Sequence, residues 1–235
     1  MGLYIRQLLA GREFAKNDYI AAQMANFVYL IGDDSKRVCM VVDPAWDIPG
    51  ILEAAQGDGM RIVGALVTHY HPDHIGGDIF GHHITGLGEL LGLAPVKIHV
   101  NDIESDGVKQ ISGLSDSDLE RHGAGDVVSI GDIEVKLLHT PGHTPGSQCF
   151  LAGSTLVSGD TLFIGGCGRV DLPGGNSADL FRSLTEVLAR LPEDTTLFPG
   201  HNYAAVPVST IGDEKRNNYC LRVRSLEDWI SMMAR

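Results

Sequence analysis

The segment THYHPDH, residues 68–74, holds four candidate metal ligands within six positions. They are His69, His71, Asp73 and His74. Histidine is the commonest metal ligand among side chains, and chance clustering this dense is rare with ten histidines in 235 residues. The alternative is a hydrogen-bonded polar turn, which does not require three imidazoles at this spacing. The segment therefore predicts a metal site.

The residues before this segment determine where its side chains point. RIVGALVTH is rich in branched apolar side chains and Pro72 follows closely, so the sequence predicts a buried strand that runs into a loop. Side chains at positions i and i+2 of an extended backbone point the same way. We therefore expect His69 and His71 to converge on one ion. Asp73 and His74, beyond the turn, should face another.

Three further ligand candidates each follow a predicted strand. LLHTPGHTPGS places His143 in a Pro/Gly turn, LVSGDTLF places Asp160 at the close of a strand, and TLFPGHNY places His201 likewise. Together the seven side chains suffice for two ions if Asp160 bridges them. Two ions about 3.5–4 Å apart suit hydrolysis, because one activates water while the other polarises the bond that breaks. The first ion would take His69, His71 and His143, and the second Asp73, His74 and His201.

Two groups of predicted strands position these ligands. The predicted strands are FVYLI, RVCMVVD, RIVGALVTH, VKIHV, VVSI, IEVKLLHT, QCFLA and STLVSGD. Apolar residues at helical spacing predict helices over IPGILEAAQGDGM and ADLFRSLTEVLARL, the latter with Ser177 as its N-cap. Strands followed by helices, twice over, predict two packed sheets with helices on the outer faces.

Composition narrows the class of protein. A chain of 235 residues with 43% hydrophobic and 20% charged content is typical of one globular α/β domain over 1–235. A net charge of −12 without clustered basic residues argues against a nucleic acid partner. Four widely separated cysteines fit neither a disulfide scaffold nor a zinc ribbon. No segment approaches the ~20 apolar residues of a membrane span, and MGLYIRQLLAGREFAKN lacks the apolar run of a signal peptide. We therefore expect no membrane partner and a cytoplasmic location.

Four motifs in order, THYHPDH, TPGHTPGS, SGDTLFIGGCGR and PGHNY, make the chain resemble the metallo-β-lactamase superfamily. Within it, they resemble the glyoxalase II and persulfide dioxygenase branch. The resemblance runs from about Phe27 to His201. It implies an α/β fold, a four-layer αβ/βα sandwich of two mixed β-sheets flanked by helices, with the metals in a cleft at one edge of the sheets. It also implies the seven ligands named above. The C-terminal helical domain of glyoxalase II is expected here only as a short helical segment at about 205–235.

The resemblance implies a metal-dependent hydrolase of a thioester or ester, similar to hydroxyacylglutathione hydrolase. A hydroxide held between two metal ions would attack the carbonyl carbon, and Asp73 would hold or receive the water proton while it binds its ion. Metal binding can lower the pKa of water from ~15.7 to ~7, which supplies hydroxide at neutral pH. We expect two divalent ions, zinc by default, although iron and manganese also suit a site of nitrogen and oxygen ligands.

In glyoxalase II-like proteins, a basic residue after the GCG turn and a tyrosine two positions after the last histidine contact glutathione. The matching residues here are Arg169 and Tyr203. The expected partner is thus a small-molecule substrate, glutathione-linked if both residues bind it. Two departures argue against glutathione: Asp171 replaces an aromatic residue, as in dioxygenase-like GCGRxD sequences, and the C-terminal helical segment is short. That segment keeps Arg222 and Arg224, which could bind an anionic substrate.

The main alternative is a different class of reaction. A mononuclear Fe(II) bound by His69, His143 and Asp160 would leave positions open for oxygen and glutathione persulfide, as in a persulfide dioxygenase. A third alternative is a non-enzymatic binding module that has kept its metal cleft. β-Lactamases of this superfamily usually carry Cys or Ser at the position of Asp160, and nucleases are longer and more basic, so both activities are disfavoured. The sequence leaves a homodimer open.

Residues 79–95 depart from compact relatives, which have a short helix there. IFGHHITGLGELLGLAP is Gly-rich and apolar, and it predicts a loop or lid beside the metal cleft. Adjacent residues of an extended backbone point oppositely, so at most one of His82 and His83 should face the cleft. Three other histidines fall in or near strands without ligand partners, and we expect structural roles for them: His99, His122 and His139.

Overall fold

Two six-stranded sheets form the centre of the computed structural model, which describes residues 2–233. The first half of the chain contains, in order, β1 (Leu3–Leu9), α1 (Tyr19–Met24), β2 (Phe27–Asp33), β3 (Val38–Val42), α2 (Ile48–Gly57), β4 (Arg61–Leu66), α3 (Pro72–Ile75), β5 (Gly77–Ile79), β6 (His82–Ile84), α4 (Leu87–Leu93), β7 (Lys97–Asn101), α5 (Ser105–Ser112) and β8 (Leu119–His122). The second half contains β9 (Val127–Ile130), β10 (Ile133–His139), β11 (Gln148–Ala152), β12 (Thr155–Gly159), β13 (Leu162–Phe163), β14 (Gly166–Cys167), α6 (Ser177–Arg182), β15 (Thr196–Pro199), β16 (Ser209–Thr210), α7 (Ile211–Asn217), α8 (Tyr219–Arg222) and α9 (Leu226–Met233).

Both sheets contain parallel and antiparallel neighbours. The first has the order β1-β2-β3-β4-β7-β8, with antiparallel pairs as far as β3 and parallel pairs from β3 to β8. The second has the order β16-β15-β12-β11-β10-β9, in which β12 and β15 are parallel and the other pairs are antiparallel. Two mixed sheets with helices outside confirm the predicted αβ/βα sandwich.

Apolar side chains fill the three spaces between the four layers of this sandwich. Between the sheets, Tyr29 of β2 belongs to the same buried cluster as Phe150 of β11. On the outer face of the first sheet, Ile51 of α2 joins a second cluster. Outside the second sheet, Leu180 of α6 and Trp229 of α9 join a third. Burial of one such large side chain contributes about 1.5–3 kcal/mol, so the layers fix the strand ends on which the candidate ligands lie.

The strand predicted over RIVGALVTH is shorter in the structure. It ends at Leu66, because the backbone N–H of Thr68 donates to the carboxylate of Asp43 and not to a neighbouring strand. The loop that bears the ligands therefore begins earlier than the apolar run predicts. Strand β1 and helix α5 were not predicted, because their half-buried polar and charged residues hide their periodicity.

The predicted N-cap of α6 is wrong by one residue. Asn176 has extended backbone angles, and its side chain accepts a hydrogen bond from the N–H of Asp179 at 3.1 Å. Ser177, the predicted cap, is already the first helical residue. An asparagine side chain at this position satisfies one of the free N–H groups of the first turn. Beyond α6, the predicted helix continues only as a π turn (Ser183–Val187) and a 3-10 turn (Leu188–Arg190).

The prediction of a loop over 79–95 is wrong in form. The segment contains strand β6, which pairs with β5 in a hairpin, and helix α4. Leu87 and Leu90 of α4 are completely buried against the first sheet, because they lie three residues apart on one helical face. This part of the segment belongs to the core and is not free to open as a lid.

The region predicted as a C-terminal helical segment, about 205–235, contains the short strand β16 and helices α7, α8 and α9. Residues 234–235 of that prediction lie outside the described residues. Across residues 2–233, no helix has the length and apolar character that crossing a bilayer would demand.

Candidate metal centre

The loop 67–71 is held between the two sheets before it supplies any ligand. Thr68 donates to Asp43 twice, from its N–H at 2.7 Å and from its hydroxyl at 2.6 Å. Its carbonyl accepts from the N–H of Gln148, the first residue of β11, at 3.0 Å. Asp43 itself has a φ of 53°, a left-handed conformation that aspartate adopts more readily than most residues. These bonds fix the direction in which the following histidines project.

The first candidate ligand group contains His69, His71 and His143, whose ligand atoms lie within 4.8 Å of one another. The Nε2 atom of His143 is 2.9 Å from Nδ1 of His71. The Nδ1–H of His143 donates to the carbonyl of Arg169 at 2.7 Å. Because the Thr68 hydroxyl donates its proton to Asp43, its oxygen accepts from Nδ1 of His69 at 2.9 Å. Nε2 of His69 and of His143 are therefore left with lone pairs.

The second group contains Asp73, His74 and His201, again within 4.8 Å. Nε2 of His74 and Nε2 of His201 are 3.2 Å apart, and Oδ2 of Asp73 is 3.4 Å from each. The opposite ring nitrogens are both occupied. Nδ1 of His74 donates to Asp43 at 2.9 Å, and Nδ1 of His201 donates to the carbonyl of Met24 at 2.8 Å. Orientation of ligand imidazoles through the second nitrogen is typical of metal sites.

Asp160 lies between the two groups. Its Oδ1 is 3.3 Å from Nε2 of His74, and its Oδ2 is 3.3 Å from Nε2 of His201 and 3.6 Å from Nε2 of His143. Backbone packing leaves room for this carboxylate only because residue 200 is glycine: a Cβ on Gly200 would clash with Oδ1 of Asp160. The carboxylate thus faces both groups, as a bridging ligand would.

Unpaired polar atoms make this arrangement fit a metal ion. Within residues 2–233, Nε2 of His69 and Oδ1 of Asp160 are buried and have no hydrogen-bond partner. Buried polar atoms are normally paired, and two imidazole lone pairs 3.2 Å apart, as in His74 and His201, repel unless a cation or proton lies between them. Imidazole nitrogens and carboxylate oxygens are suitable ligands for zinc, iron and manganese.

The pKa shifts of the candidate ligands are consistent with a site that binds a cation. Burial and the neighbouring imidazoles lower the pKa of His69 well below its usual value and that of His71 to about 4. Although burial opposes the change, Asp73 and Asp160 raise the pKa of His74 well above its usual value. Likewise, despite burial, His201 and His74 lower the pKa of Asp160 well below its usual value. The raised pKa of His74 favours a proton on that imidazole where no cation is bound, which offsets the charge of the buried carboxylates.

The two predicted substrate residues lie at the mouth of this centre. The side chain of Arg169 is 62% exposed, and its Nε and Nη2 each donate to Asp171 at 2.6 Å. The ring of Tyr203 stacks on His201, with centroids 4.7 Å apart, and the residue is 59% exposed. Tyr203 therefore borders the ligands directly, whereas Arg169 is paired with a carboxylate of its own chain.

The histidines of 79–95 lie outside both ligand groups. Nε2 of His82 is 2.9 Å from a carboxylate oxygen of Asp18, and His83 is exposed beside Asp78 at 3.3 Å. His139, expected to be structural, lies 3.0 Å from the carbonyl of Pro145 through its Nε2.

Sequence reasoning missed the residues that position the ligands. Asp43 binds both Thr68 and His74, and Asn26 donates to Oδ2 of Asp73 at 3.0 Å. Buried Glu104 accepts from the N–H of Tyr70 at 2.9 Å and from the hydroxyl of Thr144 at 2.6 Å, which joins two ligand-bearing loops. Asp43 and Glu104 both follow predicted strands, so the rule that located Asp160 could also have indicated them.

Comparisons with known proteins agree with this geometry. A model of the metallo-beta-lactamase superfamily matches residues 23–201. Persulfide dioxygenase ETHE1 of Mus musculus is 31% identical, and the match covers 97% of this chain and 84% of that protein. Hydroxyacylglutathione hydrolase of Rhodospirillum rubrum is 34% identical, with 88% of this chain and 74% of that protein covered. The crystal structure of ETHE1 from Myxococcus xanthus matches with a TM-score of 0.80 and 30% identity, covering 98% of this chain and 90% of that one.

The matched region contains all seven candidate ligands, from His69 to His201. Relatives of both kinds named above belong to the branch that the four motifs predict, so that prediction is confirmed. The chain belongs to the metallo-beta-lactamase superfamily, as a metal-dependent enzyme of its glyoxalase II and ETHE1 branch.

Proposed function

We propose that the protein is a persulfide dioxygenase that binds one Fe(II) through His69, His143 and Asp160. The observation that carries this proposal is the extent of the likeness to the ETHE1 structure, which covers 98% of this chain and 90% of that one. Hydrolysis, which the sequence alone favours, is the second candidate function.

The geometry around these three residues supports the proposal. The rings of His69 and His143 have centroids 4.8 Å apart, and Nε2 of His143 is 3.6 Å from Oδ2 of Asp160. Two histidines and one carboxylate on one side of an iron ion leave other positions open, which is the arrangement of non-haem Fe(II) oxygenases. When bound, Fe(II) would supply the redox chemistry that joins dioxygen to the outer sulfur of a persulfide.

Other side chains of the centre would control protons around the substrate. His71, whose pKa falls to about 4 through burial and the adjacent His143, is neutral near pH 7 and can accept a hydrogen bond. His74 and His201 have raised pKa values, despite burial, because of the nearby carboxylates, and can donate from Nε2. The ring of Tyr203 covers one side of the His201 imidazole.

The substrate proposed for this site is a persulfide of a carboxylate-bearing thiol, such as glutathione persulfide. Exposed Arg222 and Arg224 on the C-terminal segment offer positive charge for its carboxylates. Arg169 is near the centre, because its carbonyl accepts from His143, but its guanidinium must leave Asp171 before it can bind a substrate. Weak recognition by Arg169 follows from that competition.

Paired assays test this function. Protein loaded anaerobically with Fe(II) should consume about one dioxygen per glutathione persulfide and release sulfite. A His201→Gln variant provides a sharp comparison, because His201 belongs to the second group and should leave the iron content unchanged. The proposal fails if the iron-loaded enzyme takes up no oxygen, or if it binds iron only with His201 intact.

The second candidate function is hydrolysis of a thioester with two metal ions. One observation favours it: Asp73, His74 and His201 converge within 4.8 Å, although a single iron would not need them as ligands. Asp73, held by Asn26, could accept the proton of an attacking water. Zinc-loaded protein that hydrolyses S-lactoylglutathione under nitrogen, with loss of activity in His201→Gln, would establish this function in place of the first.

A further inference from the structure

A third group of metal-binding side chains lies at the edge of the first sheet. His99 is on β7, and Glu120 and His122 are on the edge strand β8. In the parallel pairing of these strands His99 is opposite Glu120, and His122 lies two residues further along the same face. Their neighbours Ile98 and Leu119 belong to the core cluster beneath the helices, so the three polar side chains occupy the opposite face. The structure therefore places ligand-type side chains next to both histidines, which the sequence did not indicate.

The distances within this group match those of the metal centre. Nδ1 of His99 is 2.9 Å from Nε2 of His122 and 3.9 Å from a carboxylate oxygen of Glu120. All three ligand atoms lie within 4.8 Å of one another. In the metal centre, the ring nitrogens of His71 and His143 are likewise 2.9 Å apart. The two sites share no side chain.

The surroundings also resemble those of a metal site. Oδ2 of Asp126 is 3.8 Å from Nδ1 of His122, and it accepts from the N–H of Gly123 at 2.8 Å, which fixes its position. A carboxylate near the second nitrogen favours the tautomer with a lone pair on Nε2, which faces His99. His99 is only 7% exposed, whereas the Glu120 side chain is 53% exposed, so an ion could enter from the solvent side.

We propose that His99, Glu120 and His122 form a separate binding site for a divalent transition metal ion of the zinc type. Two imidazoles and one carboxylate suit zinc, nickel, cobalt or copper, and they leave a coordination position for water. The ion would join β8 to β7 by side chains in addition to the backbone ladder. It would also add to the metal content of the protein without taking part in the chemistry of the cleft.

Zinc content measures this site directly. Wild-type protein and the double variant His99→Gln/His122→Gln are saturated with Zn²⁺, separated from free metal by gel filtration and analysed by mass spectrometry. The wild type should retain one ion per chain more than the double variant. His83→Gln is the matched control, because His83 is exposed and outside every ligand group, and it should retain the wild-type content. Equal zinc content in the wild type and a folded double variant overturns the proposal.

Two measurements keep the test decisive if the double variant does not fold. Glu120→Gln changes a half-exposed side chain and should weaken zinc binding at this site at least about tenfold, measured by competition with a chromogenic chelator. Even substitutions of residues that only orient a ligand lower metal affinity by about that factor. Crystals of the wild type soaked in zinc should give an anomalous peak between His99 and His122. No peak there at saturating zinc overturns the proposal.

Discussion

Four candidate ligand imidazoles in the cleft are held through the second ring nitrogen, those of His69, His74, His143 and His201. Asp43 has the largest share of this task. It accepts from Nδ1 of His74 and from both donors of Thr68. In Asp43→Asn, the amide would offer a proton where His74 needs an acceptor. We expect about 10–100-fold weaker binding of the cleft metal, measured by chelator competition. Asp34→Asn, at an exposed carboxylate, is the control and should leave the affinity unchanged.

Asp160 and Asp73 should differ in importance. Asp160 is within 3.6 Å of histidines from both groups, whereas Asp73 approaches His74 and His201 of its own group. Asp160→Ala should therefore lower both metal content and activity more than Asp73→Ala. Metal per chain and kcat of the two variants measure this directly. If both variants kept all their metal and lost activity equally, Asp160 would not act as a shared ligand.

Arg169 and Asp171 allow a test of substrate recognition. Release of Arg169 in Asp171→Asn should lower KM for a glutathione-linked substrate, because the guanidinium no longer has a carboxylate of its own chain. Arg169→Ala should raise KM by less than the about 10–100-fold that an unopposed charge-assisted bond of ~1.5–3 kcal/mol would give, because Asp171 competes for the guanidinium. Metal content should stay constant in both. Unchanged KM in both variants would remove Arg169 from the substrate site.

Between elements, Glu104 connects the loop after β4 to the loop before β11. It accepts from Tyr70, Thr144 and Gly146, at 2.9, 2.6 and 2.6 Å. Glu104→Gln would turn one acceptor oxygen into a donor and leave one of these partners unpaired. We expect a loss of about 1–3 kcal/mol in the free energy of unfolding, measured by urea denaturation.

The same variant should weaken metal binding, since the loops that Glu104 joins carry His71 and His143. Glu53→Gln on the exposed face of α2 is the matched control. A Glu104→Gln protein as stable as the wild type would show that the two loops hold their positions without this residue.

The sequence predicted secondary-structure elements better than it predicted the hydrogen bonds between them. Branched apolar runs located the strands around the cleft, and the strand-end rule located all seven side chains that the structure brings together. Their roles as ligands stay a prediction. The acceptors that orient them were missed, because the carbonyl of Met24 has no sequence signal and Glu104 acts on residues 34 and 40 positions away. Helix α4 was missed because glycines at 88 and 92 conceal the face formed by Leu87 and Leu90.

At the scale of the whole molecule, metal binding should stabilise the fold. An ion that binds only the folded chain raises the free energy of unfolding by about 2.7 kcal/mol when its free concentration is 100 times its Kd. For a chain of this size, about 2–4 °C per kcal/mol gives a rise in Tm of about 5–11 °C. Thermal unfolding with and without zinc measures the rise in Tm. Magnesium, which prefers oxygen ligands, should raise Tm only slightly. An unchanged Tm at saturating zinc would contradict this prediction.

The division of the ligands between the two sheets has a consequence for the order of folding. Four of the seven follow β4 in the first sheet, whereas Asp160 and His201 follow β12 and β15, which become parallel neighbours only after the chain crosses over through α6. The cleft is therefore complete only when the second sheet has formed and packed. A metal ion that meets its full set of ligands so late leaves the rate of folding unchanged, and it acts by slowing the rate of unfolding.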